Sequence, residues 1–266
     1  MGKKESETGR NRPLRASRQS GVSLERAIAK MGLASRTEAL GWIEGGRVSV
    51  NGRPCVNPKK RVLMGRDRIE VEGLTARPAQ KIYLALNKPR GLVTTARDER
   101  GRPTVFECLK NYRDLHLAPV GRLDMASEGL LFFTNDTAWA AKLLNPESHV
   151  AKTYDVQIDR HLGQEALGRL CSGVTLEDGQ RTRPAKVRAL RAGPKTCWLE
   201  IEIDEGLNRQ IRRMMKAVGA RVMRLVRVAV GPVVLGGLPK GGTRPLQPEE
   251  LRAIRSYTST KKGYKV

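Results

Sequence analysis

One carboxylate and one group of cations in this chain of 266 residues are of types that could do chemistry together. Asp124 stands in a polar loop just before residues 129–133, an apolar run typical of a buried strand. Residues 208–218 predict a helix with one apolar face, and the opposite face carries Arg209, Arg212, Arg213 and Lys216. Taken alone, a loop Asp usually caps a turn and four cations usually form a solvated surface. Beside a catalytic carboxylate or a phosphate backbone, the same cations become functional.

The other reactive side chains do not form a metal or cofactor site in the sequence. No C-x-x-C pair occurs, and neither of the glycine-rich phosphate-binding patterns is present. The isolated side chains are Cys55, Cys108, Cys171, Cys197, His116, His149 and His161. We expect the cysteines to be buried, reduced thiols. We also expect chemistry that needs neither a metal nor a small-molecule cofactor.

The net charge predicts a polyanionic partner. Fifty Lys and Arg against 27 Asp and Glu give a charge of +23 and a pI near 10.5. The excess is spread over the foldable segments as well as the ends, so RNA or DNA is the expected partner. No apolar run approaches the roughly 18 residues that cross a bilayer. The basic N-terminus lacks the apolar core of a secretory signal, and we therefore expect a cytoplasmic protein without membrane contact.

Composition divides the chain into a small domain, a larger domain and two basic ends. We expect disordered arms at 1–21 and 253–266, because both are polar and poor in large apolar residues. Residues 22–72 predict two short helices and a small hairpin sheet. Residues 73–81 are interpreted as a linker, and 82–252 as the larger domain.

Strands with strict alternation dominate the larger domain. Apolar and polar residues alternate over 154–159 and 199–204, as in half-buried, antiparallel strands. Helices are predicted near 137–144, 164–172 and 208–218. The fold class is therefore α+β, with a mixed, mainly antiparallel sheet in the larger domain.

Three motifs in order resemble those of the ribosomal RNA pseudouridine synthases of the RsuA/RluB type. They are Asn87-Lys-Pro-Arg-Gly91, Gly121-Arg-Leu-Asp-Met-Ala-Ser-Glu-Gly-Leu-Leu131 and Gly206-Leu-Asn-Arg-Gln-Ile-Arg-Arg-Met214. The N-terminal unit, with Ala34-Ser-Arg-Thr-Glu-Ala39, resembles the S4 RNA-binding domain that precedes the catalytic domain in this family. The resemblance covers about 22–252, nearly all of the foldable chain.

The resemblance implies isomerisation of a uridine to pseudouridine. The N1–C1′ bond breaks, the base rotates and C5 takes the place of N1, so every product atom is already in the substrate. The resemblance puts Asp124 in the role of the carboxylate. The residues leave three routes open: addition of Asp124 to C6, attack on C1′, or a glycal route in which a proton leaves C2′.

Further roles follow from the same resemblance. Tyr154 matches the Tyr that stacks on the target base and assists proton transfer, and Arg212 matches the basic residue that pairs with the catalytic Asp. Arg122 is similar to the residue that enters the position vacated by the flipped uridine. Residues expected to shape the active-site cleft are Lys88, Gly91 and Leu123.

The remaining basic residues are expected to contact RNA phosphates without reading much sequence. In the S4-like unit these are Arg36, Arg47, Arg53, Lys59, Lys60 and Arg61. In the larger domain they are Arg209 and Arg213. Because the base must be flipped, single-stranded or junction RNA is the expected substrate rather than a closed duplex.

The target uridine is less constrained by sequence. Residues 101–109, the turn at 176–179 and the 208–212 series look closer to large-subunit members, which favours 23S rRNA near the peptidyl-transferase region. The alternatives are a uridine of 16S rRNA, or a catalytically silent rRNA-binding or ribosome-assembly factor. The partner is thus ribosomal RNA or an assembly particle, and we expect the protein to be a monomer.

Overall fold

The computed structural model describes residues 21–76 and 79–260, without the side chains of residues 74, 259 and 260. Within these residues the chain forms two compact units. The first includes residues 21–28 and 36–76, and the second includes 29–35 and 79–260. The arm expected at 1–21 lies outside the described residues except for Gly21, and so do the last six residues of the expected tail.

Short helices and strands build the first unit, as its sequence predicts. The helices are α1 (Leu24–Lys30) and α2 (Arg36–Glu44). The strands are β1 (Val22–Ser23), β2 (Val48–Val50), β3 (Arg53–Pro54), β4 (Arg61–Val62), β5 (Ile69–Val71) and β6 (Leu74–Thr75). Antiparallel pairing gives the order β3-β2-β5-β6, and β1 pairs with β4. Strand β6 pairs with β5, so the first part of the linker expected at 73–81 belongs to this sheet.

A nine-stranded sheet forms the centre of the second unit. Its strands are β7 (Tyr83–Lys88), β8 (Ala118–Val120), β9 (Glu128–Thr134), β10 (Lys152–Ile158), β11 (Lys186–Ala192), β12 (Cys197–Ile203), β13 (Val222–Val230), β14 (Val233–Val234) and β15 (Thr243–Pro245). The main order is β11-β12-β10-β13-β9-β7-β15, with β8 on β9 and β14 on β13. Only β9 and β13 pair in parallel among these described strands, which confirms the expected α+β fold with a mixed, mainly antiparallel sheet.

Burial along the strands follows the sequence pattern. Every residue of β9 is buried, as expected of a central apolar strand, because β7, β8 and β13 flank it and apolar residues cover both faces. Strands β10 and β12 alternate buried and half-buried residues in register, with Val156 opposite Leu199. One face packs against α4 and α5 through residues such as Leu170 and Met214.

The helices of the second unit are α3 (Thr137–Leu144), α4 (Gln164–Ser172), α5 (Gln210–Ala217) and α6 (Pro248–Thr260), with 3-10 turns at Val105–Tyr112 and Pro146–Ser148. The expectation of a disordered tail from 253 is wrong for 253–260, which form the end of α6. Ile254 is buried there, because Leu251, Ile254 and Tyr257 recur at helical spacing and pack against the sheet. None of the helices in the described part of the chain is long and apolar enough to cross a membrane.

Candidate active site

The loop that carries Asp124, residues 121–127, is held by hydrogen bonds to five successive backbone carbonyls. We call it the Asp124 loop. The donors in turn are Thr94 Oγ1 to residue 123 (2.7 Å), Lys88 Nζ to residue 124 (3.1 Å), Gly91 N to residue 125 (2.8 Å), Arg212 Nη2 to residue 126 (3.2 Å) and Lys88 Nζ to residue 127 (2.8 Å). This backbone is therefore fixed from four chain positions, which leaves the Asp124 carboxylate as the part free to act.

Lys88 is the central support of the Asp124 loop. It ends β7, its side chain is completely buried, and its ammonium also donates to Pro89 O at 3.1 Å. Burial lowers the pKa of Lys88 to about 8, and the negative charges of Asp124 and Glu128 oppose that lowering. Lys88 therefore acts through the backbone of the loop, and its expected place in the active-site cleft stays a prediction.

Gly91 supports the same loop from the first motif. Its φ of 96° is a left-handed value that a glycine adopts without strain, and its N–H reaches Met125 O. Since an added Cβ would meet nothing within 4 Å, the constraint at Gly91 is conformational and not one of space.

Arg209 is the cation that contacts the Asp124 carboxylate, with Nη1 at 3.5 Å from Oδ2. The pairing expected for Arg212 is not the one that the structure contains. Arg212 instead donates to the carbonyls of Ala126 and Val222, at 3.2 and 3.4 Å, and so joins the Asp124 loop to β13. The local backbone explains the difference. Arg209 precedes α5 with a left-handed φ of 48°, so its side chain leaves the backbone in a different direction from those of the helical residues that follow.

Arg212 still has one donor to offer. Its Nε is buried and has no hydrogen-bond partner among the described residues. Burial lowers the pKa of Arg212, the neighbouring Arg209 acts in the same direction, and Asp124 acts against both. Two guanidinium groups therefore face the region of Asp124, one exposed and one half-buried.

The other two cations on this face of α5 form ion pairs with acidic residues. Arg213 forms an ion pair with Asp178 at 2.5 Å, and Lys216 pairs with Glu177. Both acids lie in the turn after α4. Contact of Arg213 with RNA stays a prediction, and it would require this ion pair to open or be shared.

A cavity of about 580 Å³ opens beside Asp124. Tyr154 and Leu123 line it and are buried, whereas Arg122 lines it and is exposed. Arg227 of β13 lines the same cavity and is also buried. The volume suits a small molecule or one nucleotide unit, and the cavity brings together the carboxylate, the aromatic ring and the cations that the sequence singles out.

Comparison with known proteins identifies the family of each part of the chain. The RNA pseudouridylate synthase family matches residues 82–217, and the S4 domain matches residues 23–69. The chain belongs to the RNA pseudouridylate synthase family. A crystal structure of a pseudouridylate synthase superposes with a TM-score of 0.65 at 28% identity, covering 88% of this chain and 99% of that chain.

The alignments with two named relatives span most of this chain. Ribosomal large subunit pseudouridine synthase B of Bacillus subtilis is 38% identical over 88% of this chain and 95% of its own length. The protein of the same name from Salmonella typhimurium is 35% identical over 87% of this chain and 81% of its own length.

Several site residues of the synthase escaped the sequence reasoning. Thr94 both donates to Leu123 O and accepts from Leu123 N, and it carries no motif signal of its own. Buried Gln210 contacts Glu205 and accepts from Leu207 N, which braces the turn before Arg209. The Gly206–Met214 motif includes Gln210, so only its role was missed.

An ion-pair cluster around one buried carboxylate also escaped prediction. Glu128, at the start of β9, accepts from Arg224 at 2.8 and 3.0 Å and from Lys240 at 2.8 Å. The Arg224 hydrogen bonds hold the pKa of Glu128 at about 2, against the opposing effect of burial, and Lys240 adds to the lowering. The Arg224–Glu128 pair ties β13 to the first residue of β9, which follows the Asp124 loop in the chain.

The S4-domain residues that are predicted to contact RNA fall into two groups, those that form ion pairs within the domain and those for which exposure alone is described. Arg36 and Arg47 form exposed ion pairs with Glu25 and Glu72, at 3.3 and 3.1 Å. Exposed side chains also occur at Arg53, Lys59 and Arg61, and Lys60 is half-buried. The domain thus presents cations to solvent, as contact with phosphates requires, while the individual RNA contacts stay predictions.

The cysteine expectation is only partly right. All four thiols are free, and Cys55 and Cys197 are buried as expected, but Cys108 is half-buried and Cys171 is exposed. Cys171 lies near the end of α4, on the side that α4 turns to solvent. No group of three or more His, Cys, Asp or Glu suited to a metal ion occurs within residues 21–76 and 79–260.

Proposed function

We propose that this synthase converts a specific uridine of ribosomal RNA to pseudouridine, with Asp124 as the acting carboxylate. The observation that carries the proposal is the Asp124 loop, whose five fixed carbonyls present one partly exposed carboxylate beside a nucleotide-sized cavity. Relatives named for ribosomal large subunit pseudouridine synthesis support ribosomal RNA as the substrate.

The side chains around the cavity are proposed to have different roles in the reaction. A uridine flipped into the cavity would place its base against Tyr154, which is fixed in β10. Arg122, exposed at the cavity, would fill the vacated position in the RNA. Arg209 and Arg212 would place positive charge beside the Asp124 carboxylate and help to hold it in position. Addition to C6, attack on C1′ and the glycal route are all compatible with this arrangement.

A uridine of 23S rRNA near the peptidyl-transferase region is the proposed target. Two relatives that cover 87–88% of this chain carry the large-subunit name, and the sequence series at 101–109 and 176–179 favours the same subunit. A uridine of 16S rRNA is the second candidate, and the test below distinguishes them.

The S4 domain is proposed to capture RNA by its phosphates. Its exposed cations would add affinity that falls steeply with salt, without adding sequence selection. Ribosomal RNA or an assembly particle is then the partner, the chain acts as a monomer, and the cytoplasm, where ribosomes are made, is its location.

Mapping of pseudouridines in 16S and 23S rRNA tests the proposal. Carbodiimide treatment and primer extension are applied to a strain that lacks the protein, and to the same strain complemented with wild type or Asp124→Asn. We expect one stop to vanish on deletion and to return with wild type only, since Asp124→Asn changes the chemistry and not the cationic surface.

Other outcomes separate the alternatives. A stop in 16S rRNA would move the target to the small subunit. Equal stops in all strains, with the protein still bound to ribosomal particles, would favour a silent binding or assembly factor. Restoration of the stop by Asp124→Asn would remove Asp124 from the reaction.

A further inference from the structure

Arg227 is a buried arginine among the residues that line the cavity beside Asp124. It lies in β13 with 6% of its surface exposed, and its Nε donates to Leu130 O at 2.7 Å. Its backbone is opposite Tyr154 of β10 on one side and opposite Gly129 of β9 on the other. Arg227 thus lines the same cavity as Tyr154, whose ring is expected to stack on the base.

The charge of Arg227 is not matched by the protein around it. Arg224, three residues earlier in β13, is neutralised by buried Glu128. Arg227 forms no ion pair, and its Nε bond is its single hydrogen bond, within the described part of the chain. A buried guanidinium without an anion is costly, so its retention in a cavity points to a ligand that supplies negative charge or acceptor oxygens.

The backbone of Arg227 is held in place by close packing. Gly129 has a φ of 103°, and a Cβ added there would lie 2.2 Å from the Arg227 carbonyl oxygen. The absence of a side chain lets β9 and β13 approach at this point. The bond to Leu130 O then fixes the guanidinium itself, so that its two terminal nitrogens are left for the occupant of the cavity.

The proposed reaction supplies the missing negative charge on the base. If Asp124 adds to C6, the displaced electron pair is delocalised through C5 and C4 onto O4. If the N1–C1′ bond breaks by either other route, its electron pair stays on the uracil and spreads over N1, O2 and O4. In each route the N1–C1′ bond is broken, the base bonds to C1′ through C5, C5 loses its proton and N1 gains one. The bond from Asp124 to C6 or to C1′ then breaks, or in the glycal route the proton returns to C2′, so that the free carboxylate is regenerated. Every route therefore passes through a base with negative charge on a carbonyl oxygen, O2 or O4.

We propose that Arg227 is a further catalytic residue, which binds a carbonyl oxygen of the flipped uracil, O2 or O4, and stabilises the negative charge that develops there. The inference rests on the proposed function, because it needs a uridine in the cavity. A preorganised, desolvated cation directed at developing charge acts mainly on the rate of the chemical step.

Single-turnover kinetics with Arg227→Gln and Arg227→Lys test this role. The substrate is the rRNA that wild type modifies, labelled with tritium at C5, and release of tritium to water reports the reaction. Arg252→Gln is the control, since Arg252 is an exposed cation of α6 that pairs with Glu249. We expect the rate at saturating enzyme to fall about 10²–10³-fold for Arg227→Gln, less for Arg227→Lys and not for Arg252→Gln. The Kd for RNA is expected to stay within about threefold, because the phosphate contacts remain.

Chemical rescue distinguishes a catalytic from a structural role. Guanidinium ion added to Arg227→Ala, below denaturing concentration, is expected to restore part of the rate, whereas equal sodium chloride is not. A raised Kd with an unchanged saturating rate would overturn the inference in favour of a phosphate anchor. Loss of the folded state in both Arg227→Lys and Arg227→Gln, or absence of rescue in a folded Arg227→Ala, would also overturn it. If Arg227→Gln is fully active while Asp124→Asn is inactive, this inference alone is overturned. If the wild-type protein is inactive on every rRNA, the proposed function is overturned.

Discussion

The ammonium of Lys88 donates to the backbone carbonyl of Asp124 at 3.1 Å, so a fully buried cation fixes the residue whose carboxylate faces the cavity. Lys88 also holds Ser127 O at 2.8 Å, at the other end of the same turn. A lysine with this geometry positions the carboxylate without approaching the substrate.

Replacement of Lys88 by Met is therefore expected to lower both stability and turnover. Met fills a similar space but leaves buried carbonyls without their donor, at a cost of about 1–3 kcal/mol for each group left unsatisfied. Urea unfolding and single-turnover rates measure the two effects. Lys110→Met, at an exposed position of the same unit, is the control and should change neither. Wild-type stability and rate for Lys88→Met would contradict the positioning role.

Substitution of Arg209 and substitution of Arg212 are expected to have different effects on the free energy of unfolding. The Arg209–Asp124 pair is exposed on both sides, and such pairs contribute about 0–1 kcal/mol. Arg212 is half-buried and joins two backbone segments, so Arg212→Gln should lower the free energy of unfolding by about 1–2 kcal/mol. Arg209→Gln should leave stability nearly unchanged while it lowers the single-turnover rate.

Thermal melts and rates of the two variants, measured together, check this difference. A larger loss of stability in Arg209→Gln than in Arg212→Gln would contradict the assignment of structural support to Arg212. An unchanged rate in Arg209→Gln would show that its contact with Asp124 does not serve the reaction.

Local patterns in the sequence predicted most of the fold. Helices near 137–144 and 164–172 follow from apolar spacing within a dozen residues, and β9 follows from one apolar run. The helical end of the chain was missed because its apolar side is narrow, with single residues three positions apart at 251, 254 and 257.

The candidate site was less accessible to such reasoning. Asp124 was identified by its motif, but its contact with Arg209 depends on a left-handed backbone at a residue other than glycine, which has no sequence signal. The places of Thr94 and Arg227 depend on chain segments far apart in sequence, one of them joined by the parallel pairing of β9 with β13. Long-range register of this kind is set by the packed sheet and not by any one segment.

Gly129 is expected to tolerate no side chain. In Gly129→Ala the new Cβ would lie 2.2 Å from a backbone oxygen of β13, and φ would stay at a value strained for alanine. We expect a loss of about 3 kcal/mol or more in the free energy of unfolding, or failure to fold.

Gly168→Ala is the matched control for this substitution. Gly168 lies within α4, and an added Cβ there meets nothing within 4 Å. Alanine at such a helical position should stabilise the protein by about 0.5–1 kcal/mol. Denaturant unfolding measures the free energy of unfolding of both variants. If the close approach of β9 to β13 is the constraint, Gly129→Ala lowers this free energy and Gly168→Ala raises it. Similar small changes in both variants would mean that it is not.

The Glu128 cluster predicts an acid-dependent part of the stability. The hydrogen bonds from Arg224, with those from Lys240, hold the pKa of Glu128 at about 2, below the ordinary value of 4.5 in the unfolded chain. Since the folded state binds its proton less readily, the stabilisation is complete above about pH 4.5 and is lost as the pH falls towards 2. The full amount is about 3 kcal/mol, at 1.36 kcal/mol for each unit of pKa difference.

Urea unfolding of wild type and Glu128→Gln between pH 7 and pH 3 measures this contribution. The difference between the two proteins should be constant near neutral pH and should shrink as the pH falls below about 4.5, because only wild type loses the charged partner of Arg224. Glu249→Gln, which removes an exposed carboxylate of α6, should follow wild type within about 0.5 kcal/mol throughout. A gap between wild type and Glu128→Gln that stays constant down to pH 3 would mean that the ionised cluster does not stabilise the junction of β9 and β13.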